Sequence, residues 1–269
     1  MKENQILKTL REGKLSIGAA VQMACVDNVE LIARNNFDFV WIDCEHGLID
    51  TTQSIQLIRA AESFNVTTLV RLADKHDRGA LQRMLDVGVG GLIIQEIESK
   101  EEAAHFASLL KFPPKGERGA CPGSRAFNVL GGNMSWEAFT QAANINTMYC
   151  VLIESQKGVE NIESILDVPG IDMVVLGPFD LSHSLGHPGQ WDHPEVIEAL
   201  KTVSSAARKR NIPVMCVPLS PTDEGLKTEV GTWLAHGCQI VTATIDTIAL
   251  NKSLKHTHDI LFDKFNADI

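Results

Sequence analysis

The chain has 269 residues, of which 44% are hydrophobic and 22% charged, a globular composition long enough for one large α/β domain with a full core. A formal net charge of −10 and a pI near 5.4 give no electrostatic footprint for nucleic acid or an anionic membrane surface, so a small-molecule partner is favoured. No apolar run approaches the roughly 20 residues that span a bilayer, and the first residues lack the apolar segment of a signal peptide, so we expect a cytoplasmic protein.

Short β-branched runs alternate with longer amphipathic stretches along the chain, which is the pattern of repeated βα units around a parallel sheet. Eight strands are predicted, at residues 16–21, 38–43, 67–71, 91–94, 148–154, 173–176, 213–217 and 239–244. Eight helices are predicted, at residues 28–35, 51–63, 77–86, 99–110, 158–166, 193–210, 222–236 and 246–264. Eight such units in roughly 250 residues favour a closed (β/α)₈ TIM barrel over an open doubly wound sheet. We expect residues 1–269 to form this one domain.

One connection breaks the regular alternation. Residues 112–146, between the fourth predicted helix and the fifth predicted strand, are punctuated by glycine and proline and are too long for a plain loop. We expect this insertion to cover a site or to pack on a neighbouring subunit. No repeat or low-complexity tract indicates a second domain.

Polar side chains stand where several of the predicted strands end, and parallel strands of a barrel bring these ends to the face that carries active sites. Glu154 ends the fifth strand and Asp180 follows the turn after the sixth, and two such oxygen ligands would suit Mg²⁺ or Mn²⁺. Four further residues end the second and third strands: Asp43, Glu45, His46 and Arg71. The sequence therefore predicts one site that combines two carboxylates, an imidazole and a guanidinium.

Each of these residues also has a simpler interpretation. Glu154 and Asp180 could cap the helices that follow them, and His46 could be a satisfied turn histidine. Arg71 could form a structural salt bridge with Asp43 or Glu45, and Asp43 could cap the next turn. Their convergence under an independent fold argument favours the functional interpretation.

Other reactive side chains are weaker candidates. The six cysteines include no CxxC pair and indicate reduced, mostly buried thiols. Cys44 lies beside the predicted site, but no cationic group that would clearly lower its pKa accompanies it. His183, His187 and His193 lie loosely spaced in a Pro/Gly loop, so we interpret them as loop and cap residues and not as a zinc site. No lysine ends a strand near the carboxylates, which makes a Schiff-base mechanism less attractive than a metal-dependent one.

The chain resembles the class II, metal-dependent pyruvate aldolases of the HpcH/HpaI family. The matching stretches are FDFVWIDCEHG, VRLADKHDRGALQRMLDVGVGGLII, PPKGERGACPGSRA, VLIES and DMVVLGPFDLSHSLGHPGQWDHPEV, which together span most of the chain in order. The resemblance implies a (β/α)₈ barrel that reversibly cleaves a 4-hydroxy-2-oxo acid to pyruvate, or a similar α-keto acid, and an aldehyde through an enolate. It also implies a homo-oligomer, a trimer or hexamer, in which the last helix, residues 246–265, is exchanged between subunits.

By position, the resemblance implies roles for individual residues. Glu154 and Asp180 would hold the divalent metal ion, which would be Mg²⁺, Mn²⁺ or Co²⁺. His46 would be the general base, and Arg71 would stabilise the developing enolate. The residues expected to contact the substrate are Arg71, Leu152, Gly177, Pro178, Phe179 and Asp180.

Two carboxylates are candidates for tuning the histidine. The resemblance suggests Asp86, in the stretch RMLDVG. Asp43 is a second candidate for orienting the histidine, and the sequence does not choose between them.

The chain also departs from the family pattern. Leu152 stands where the family often has glutamine, Phe179 where a small residue is common, and Gln95 where the fourth strand usually leads into a proline. The first strand, IGAAVQMA, lacks a tryptophan found there in some members. These changes alter the expected pocket without touching the expected metal ligands, so they concern the identity of the substrate more than the class of reaction.

Three alternatives stay open from the sequence. The first is an acyl-CoA lyase of the citrate lyase β-subunit or malyl-CoA lyase type, although the chain has no obvious basic cluster for the phosphates of CoA. The second is a non-catalytic barrel that binds a keto acid. The third is hydration or decarboxylation through the same enolate, as in oxaloacetate decarboxylation.

Overall fold

The computed structural model describes residues 3–265 and shows a closed barrel of parallel strands in sequential order, in which β8 pairs with β1. The strands are β1 Ser16–Val21, β2 Phe39–Asp43, β3 Thr67–Arg71, β4 Gly91–Ile94, β5 Met148–Ile153, β6 Met173–Leu176, β7 Val214–Cys216 and β8 Ile240–Ile245. The predicted (β/α)₈ barrel is confirmed. The two ends of the predicted 1–269 domain, residues 1–2 and 266–269, lie outside the described residues.

Thirteen helices lie within the described part of the chain. They are α1 Gln5–Arg11, α2 Val26–Arg34, α3 Thr51–Ser63, α4 Arg78–Val87, α5 Lys100–Leu110, α6 Arg125–Asn128, α7 Trp136–Asn146, α8 Gln156–Glu160, α9 Ile162–Leu166, α10 Pro178–Ser184, α11 Pro194–Lys209, α12 Asp223–Ala235 and α13 Asp246–Phe265. None of them is long and apolar enough to cross a membrane.

The predicted strands all correspond to observed strands, and β1, β3, β4 and β6 have the predicted bounds. The predicted helices correspond to α2, α3, α4, α5, the pair α8 and α9, α11, α12 and α13. The sequence analysis missed α1, α6, α7 and α10. Three of these have seven residues or fewer, so their apolar positions complete too few turns for a helical period to be recognised.

Alternation along the strands decides which side chains point to the barrel axis. In β5, Met148, Cys150 and Leu152 belong to the apolar cluster inside the barrel, whereas Val151 packs in the cluster between the barrel and the helices. The same alternation, continued one step past the end of the strand, turns Glu154 toward the axis. Residues of four other strands follow the same rule and line the same cavity: Gln22, Asp43, Arg71 and Gly177.

The segment 112–146 contains α6 and α7 and has a small apolar cluster of its own. The ring centroid of Phe127 lies 5.0 Å from that of Trp136 and 5.1 Å from that of Phe139. This cluster makes the segment an ordered extension of the barrel. Its expected contact with a site or a neighbouring subunit stays a prediction.

Candidate active site

A cavity of about 410 Å³ opens at the carboxyl ends of the strands. This is the face on which (β/α)₈ barrels carry their active sites. The residues that line it come from β1, β2, β3 and β5 to β8 or from the turns and helices that follow these strands: Ala20, Gln22, Trp41, Asp43, His46, Arg71, Leu152, Glu154, Leu176, Gly177, Pro178, Phe179, Asp180, Val217, Leu219, Ile245 and Ile248.

A buried ion pair between neighbouring strands forms one wall of the cavity. Asp43 and Arg71 are register partners at the ends of β2 and β3. Arg71 donates from Nε to Asp43 Oδ1 at 2.9 Å and from Nη2 to Oδ2 at 2.8 Å, and its Nη1 lies 2.8 Å from Glu45 Oε2. The guanidinium also lies over the ring of Trp41, 5.1 Å from its centroid. Because these contacts fix the guanidinium plane, its remaining N–H groups are held in place for a ligand.

The pair is ionised. Burial alone raises the pKa of Asp43, but the hydrogen bonds and charge of Arg71, helped by the Gln22 amide, outweigh it and hold that pKa below its usual value. Burial alone lowers the pKa of Arg71, and Asp43 and then Glu45 outweigh it, so the pKa lies above its usual value. Arg71 is therefore both the salt-bridge partner of the simpler interpretation and a lining residue of the cavity.

His46 lies in the turn that follows β2, and its exposed side chain lines the cavity. The backbone N–H groups of Glu45 and His46 donate to Asp43 Oδ1 at 3.1 and 3.4 Å. Asp43 thus positions this turn through its backbone. A Cβ atom at Gly47 would lie 2.2 Å from the carbonyl oxygen of Asp43, so the turn requires glycine there.

Asp86 is not among the residues that line the cavity. It lies on α4, where its Oδ1 accepts a hydrogen bond from Gln82 Nε2 at 3.0 Å. Of the two candidates for tuning His46, the structure brings Asp43 to the turn of the histidine. The role of either carboxylate in catalysis stays a prediction.

Gln22 and Asp246 were missed by the sequence analysis. Gln22 Nε2 donates to Asp43 Oδ2 at 3.0 Å. Buried Asp246, the first residue of α13, accepts hydrogen bonds from the backbone N–H groups of Gln22 and Met23 at 3.0 and 3.1 Å. Gln22 follows β1 and Asp246 follows β8, so the criterion that found Asp43, a polar residue at a strand end, would have found both.

Glu154 is 6% exposed. Its Oε1 accepts a hydrogen bond from the backbone N–H of Glu96 at 3.0 Å. Burial raises the pKa of Glu154 to about 8; Arg71 opposes the shift and the charge of Asp180 adds to it. A Cβ atom at Gly177 would lie 2.5 Å from the Glu154 Cβ and 3.1 Å from its Oε2. Only glycine at this position therefore leaves room for the carboxylate.

The backbone that supports Glu154 has an unusual conformation. Glu96 has a φ of 50°, which is uncommon for a residue with a side chain and costs of order 1–3 kcal/mol. The preceding Gln95 is buried, and its Nε2 donates to the carbonyl oxygen of Leu72 at 2.9 Å. Lys75 Nζ donates to the carbonyl oxygens of Gln95 and Glu96 at 3.2 and 2.8 Å. The residue that replaces the expected proline thus belongs to the network that holds the Glu96 N–H against Glu154.

Asp180 lies in the first turn of α10, exposed and facing the same cavity as Glu154. Burial raises the pKa of Glu154 and the charge of Asp180 adds to this shift. A hard divalent cation relieves the repulsion between the two carboxylates. The donor set therefore fits an Mg²⁺-like ion.

The remaining predicted substrate residues, Leu152, Gly177, Pro178 and Phe179, all line the cavity. Phe179 is 47% exposed, and its ring centroid lies 5.3 Å from that of His183 and 6.5 Å from that of Trp191. Phe179 thus forms an apolar rim beside Asp180.

The loop histidines lie outside this cavity. His193 is the N-cap of α11, where its Nδ1 accepts from the backbone N–H of Glu195 at 3.3 Å. His187 Nε2 lies 2.8 Å from Glu195 Oε2, and the three side chains offer ligand atoms within 4.8 Å of one another. The capping role expected for His193 is present, and the grouping with His187 and Glu195 was not expected.

The barrel and the position of its cavity define a (β/α)₈-barrel enzyme. More specifically, the chain belongs to the HpcH/HpaI aldolase/citrate lyase family, whose model matches residues 21–248.

Known relatives agree with this family. The chain is 32% identical over 210 residues to the 5-keto-4-deoxy-D-glucarate aldolase of Klebsiella pneumoniae subsp. pneumoniae, covering 78% of this chain and 80% of that protein. It is 30% identical to the hydroxypyruvate/pyruvate aldolase of Sagittula stellata, covering 78% and 81%. The crystal structure of an HpcH/HpaI aldolase from Desulfitobacterium hafniense DCB-2 matches with a TM-score of 0.87 and 29% identity, covering 97% of each chain.

Proposed function

We propose that the protein is a divalent-metal-dependent aldolase, a carbon–carbon lyase that reversibly cleaves a 4-hydroxy-2-oxo acid to pyruvate, or a similar α-keto acid, and an aldehyde. The observation that carries this proposal is that Glu154, Asp180, Arg71 and His46 share one cavity at the carboxyl ends of the strands. Family membership and the aldolase names of the relatives support it.

Glu154 and Asp180 would hold the metal ion, Mg²⁺, Mn²⁺ or Co²⁺. When bound, the ion supplies Lewis-acid polarisation of the keto acid's carbonyl group. The Glu96 N–H holds one oxygen of Glu154, so the other carboxylate oxygen is the one available to a ligand. The burial that raises the pKa of Glu154 also places its carboxylate where charges interact more strongly than in water.

Arg71 would stabilise the enolate. Three of its five N–H groups are engaged by Asp43 and Glu45, and the other two add fixed positive charge where the enolate oxygen develops. Donors that are already oriented contribute most to such stabilisation, because they do not reorganise during the reaction. Asp43 therefore acts by holding Arg71 and the turn of His46 in one arrangement.

His46 would move the proton. In the cleavage direction its imidazole accepts the proton of the C4 hydroxyl as the C3–C4 bond breaks, and the electrons of that bond form the enolate. The protonated imidazole then gives this proton to C3 of the enolate, which completes the keto acid and restores the neutral base. In the aldol direction it takes a proton from C3 of the keto acid and delivers it to the new hydroxyl oxygen. Its exposed position at the cavity mouth gives it access to the aldehyde half of the substrate.

We further propose that α13 packs against another copy of the chain. Several apolar side chains of α13 are about half exposed or more: Ile248, Leu250, Leu254, Ile260, Leu261 and Phe262. A helix with an uncovered apolar face is stable when a partner covers it. Exchange of this helix between subunits of a trimer or hexamer would provide that cover.

The test is a panel of aldehydes incubated with pyruvate and with hydroxypyruvate, after chelation and after adding back Mg²⁺, Mn²⁺ or Co²⁺. We expect carbon–carbon bond formation only with added metal, and full turnover of the chelator-treated enzyme would contradict the proposal. Malyl-CoA and oxaloacetate in parallel reactions separate the acyl-CoA lyase and decarboxylase alternatives. Metal-dependent oxalate binding without any turnover would indicate a non-catalytic barrel.

A further inference from the structure

We infer that the β7–β8 side of the cavity is an acceptor subsite for aldehydes with an apolar side chain, and this inference rests on the proposed aldolase function. The acceptor subsite is formed by five residues: Phe179, Val217, Leu219, Ile245 and Ile248. They follow β6, β7 and β8, whereas Asp43 and Arg71 follow β2 and β3 on the opposite side of the closed barrel.

The lining of the cavity is unevenly divided. Six of its 17 residues carry an ionisable or amide group, and all six come from β1, β2, β3, β5 or the first turn of α10. The lining residues that follow β7 and β8 are all apolar. A keto acid bound at the polar side would therefore direct its aldehyde partner toward a surface without polar side chains.

Two backbone N–H groups in the loop after β7 are also engaged, by the carboxylate of Glu229. The N–H of Leu219 donates to Glu229 Oε1 and Oε2 at 3.2 and 3.1 Å, and the N–H of Ser220 donates to Oε2 at 3.0 Å. Glu229 thus takes the donors that the loop after β7 would otherwise offer to a hydroxyl group of the substrate. A polyhydroxylated aldehyde would bury hydroxyl groups there without these two donors, which is unfavourable.

A second carboxylate on the aldehyde fits poorly as well. Among the described residues that line the cavity, Arg71 is the only arginine or lysine. It follows β3, on the opposite side of the closed barrel from the acceptor subsite, where Asp43 and Glu45 engage it. An acid group placed at the acceptor subsite would therefore lack a cationic partner.

Binding of an apolar ligand at the acceptor subsite is favourable. Phe179 is 47% exposed, so a ligand that covers it removes apolar surface from water. The ring of Phe179 also packs beside those of His183 and Trp191, which extends the apolar surface that a ligand would meet. These properties select for alkyl or aryl aldehydes.

The test compares aldehydes that differ only by exchange of methyl for hydroxyl groups of similar size. Propanal is paired with glycolaldehyde and 2-methylbutanal with glyceraldehyde, with saturating pyruvate and Mg²⁺. We expect the wild-type kcat/KM to favour the apolar member by about tenfold or more. Leu219→Gln should reduce this ratio by about tenfold, while Leu31→Gln, at an exposed position of α2 outside the cavity, should leave it unchanged. The shift between wild type and variant cancels the intrinsic reactivity of each aldehyde.

Exchange of the pyruvate methyl protons in D₂O, followed by NMR, tests the proposed aldolase function separately from the acceptor subsite. Metal-dependent exchange with equal or greater kcat/KM for the hydroxylated aldehydes would overturn the acceptor subsite and leave the aldolase proposal standing. Exchange together with a ratio that Leu219→Gln does not change would also overturn it. Absence of both exchange and aldol product would overturn the proposed function and this inference with it.

Discussion

The polar groups at the two ends of the barrel differ in how completely they are paired. At the amino ends of the strands, α1 closes the barrel with the fully buried Ile6. There Asn4 Nδ2 donates to the carbonyl oxygens of Gly90 and Asn146 at 3.1 and 3.0 Å, and the Gln5 N–H donates to Thr67 Oγ1 at 2.8 Å. These polar groups are neutral and paired. The buried charge of Lys111, at the amino ends of β5 and β6, is matched by Asp172, whose Oδ2 lies 2.7 Å from Lys111 Nζ. Complete pairing of these groups is expected for a part of the fold that only has to be stable.

At the carboxyl ends, charges are buried and incompletely paired. Glu154 is held by a single N–H and has a pKa of about 8, and Arg71 keeps N–H groups that neither Asp43 nor Glu45 engages. Such an arrangement is costly for folding and useful for binding. We therefore expect that substitutions at the carboxyl end remove activity and that substitutions at the amino end remove stability.

The largest effect is expected for Glu154→Gln. The amide keeps the shape of the side chain but cannot compensate a cation, so metal-dependent kcat should fall by on the order of 10³-fold or more. Thermal stability should be unchanged or higher, because a buried carboxylate is removed. Steady-state kinetics and calorimetric metal titration check this, with Glu101→Gln on the exposed surface of α5 as control. Retention of metal binding by the variant would contradict the role given to Glu154.

Ile6→Ala, at the amino end of the barrel, should lower stability and leave activity unchanged. Removing buried methyl groups under the barrel costs about 2–5 kcal/mol of unfolding free energy, measured by urea denaturation. The kcat/KM of the folded fraction should stay at the wild-type value, because the cavity lies at the opposite end. Leu48→Ala, at a residue that is 92% exposed, is the matched control. Equal losses of stability and kcat/KM in Ile6→Ala would show that the two ends are not independent.

The raised pKa of Glu154 at the carboxyl end of the barrel predicts that metal affinity depends on pH. In the metal-free protein the pKa of Glu154 is raised to about 8 from an ordinary value of 4.5, so the folded state binds more protons than the unfolded state between these values. Stability of the metal-free protein should therefore fall as pH rises through this window. Affinity for Mn²⁺ should rise by up to about tenfold per pH unit toward pH 8, because the ion displaces a proton. Calorimetry at pH 6, 7 and 8 measures it, and a flat profile would be inconsistent with this assignment.

A smaller effect is expected at Gln22, which holds Asp43 from the side opposite to Arg71. Gln22→Leu removes the hydrogen bond to Asp43 Oδ2 and should lower kcat by about tenfold, the usual size for a residue that orients a functional group. Because the turn of His46 depends on Asp43, the pH profile of kcat should shift as well. Gln22→Glu would place two carboxylates in contact and should be worse than leucine. If leucine and wild type give superimposable pH profiles, Gln22 has only a packing role.

The sequence was most informative where local pattern and tertiary structure agree. The strands were predictable because short buried apolar runs such as that of β5 lie between glycine, proline and polar turns. The convergence of Asp43, Arg71 and Glu154 was predictable because each ends a strand and parallel strands end together.

What the sequence did not reveal depends on contacts between distant residues. The bond between Gln22 and Asp246 joins positions 224 residues apart, and no local pattern indicates it. The same holds for Asp86: a place near His46 depends on the direction of α4, which periodicity does not give. The short helix α10 was missed because GPFD is also typical of a turn.

Asp246 has a consequence for how the enzyme responds to dilution. Asp246 is the first residue of α13, and its carboxylate accepts a hydrogen bond from the backbone N–H of Gln22. The side chain of Gln22 donates to Asp43, and Asp43 accepts from Arg71. If neighbouring subunits cover α13 as proposed, assembly stabilises the position of Asp246, and these bonds connect Asp246 to the guanidinium of Arg71. The fraction of assembled chains depends on the enzyme concentration, so the fraction of correctly placed guanidinium groups should depend on it too. Specific activity should then rise with enzyme concentration through the assembly range, and a dilution series measured by activity and by light scattering should give the same midpoint.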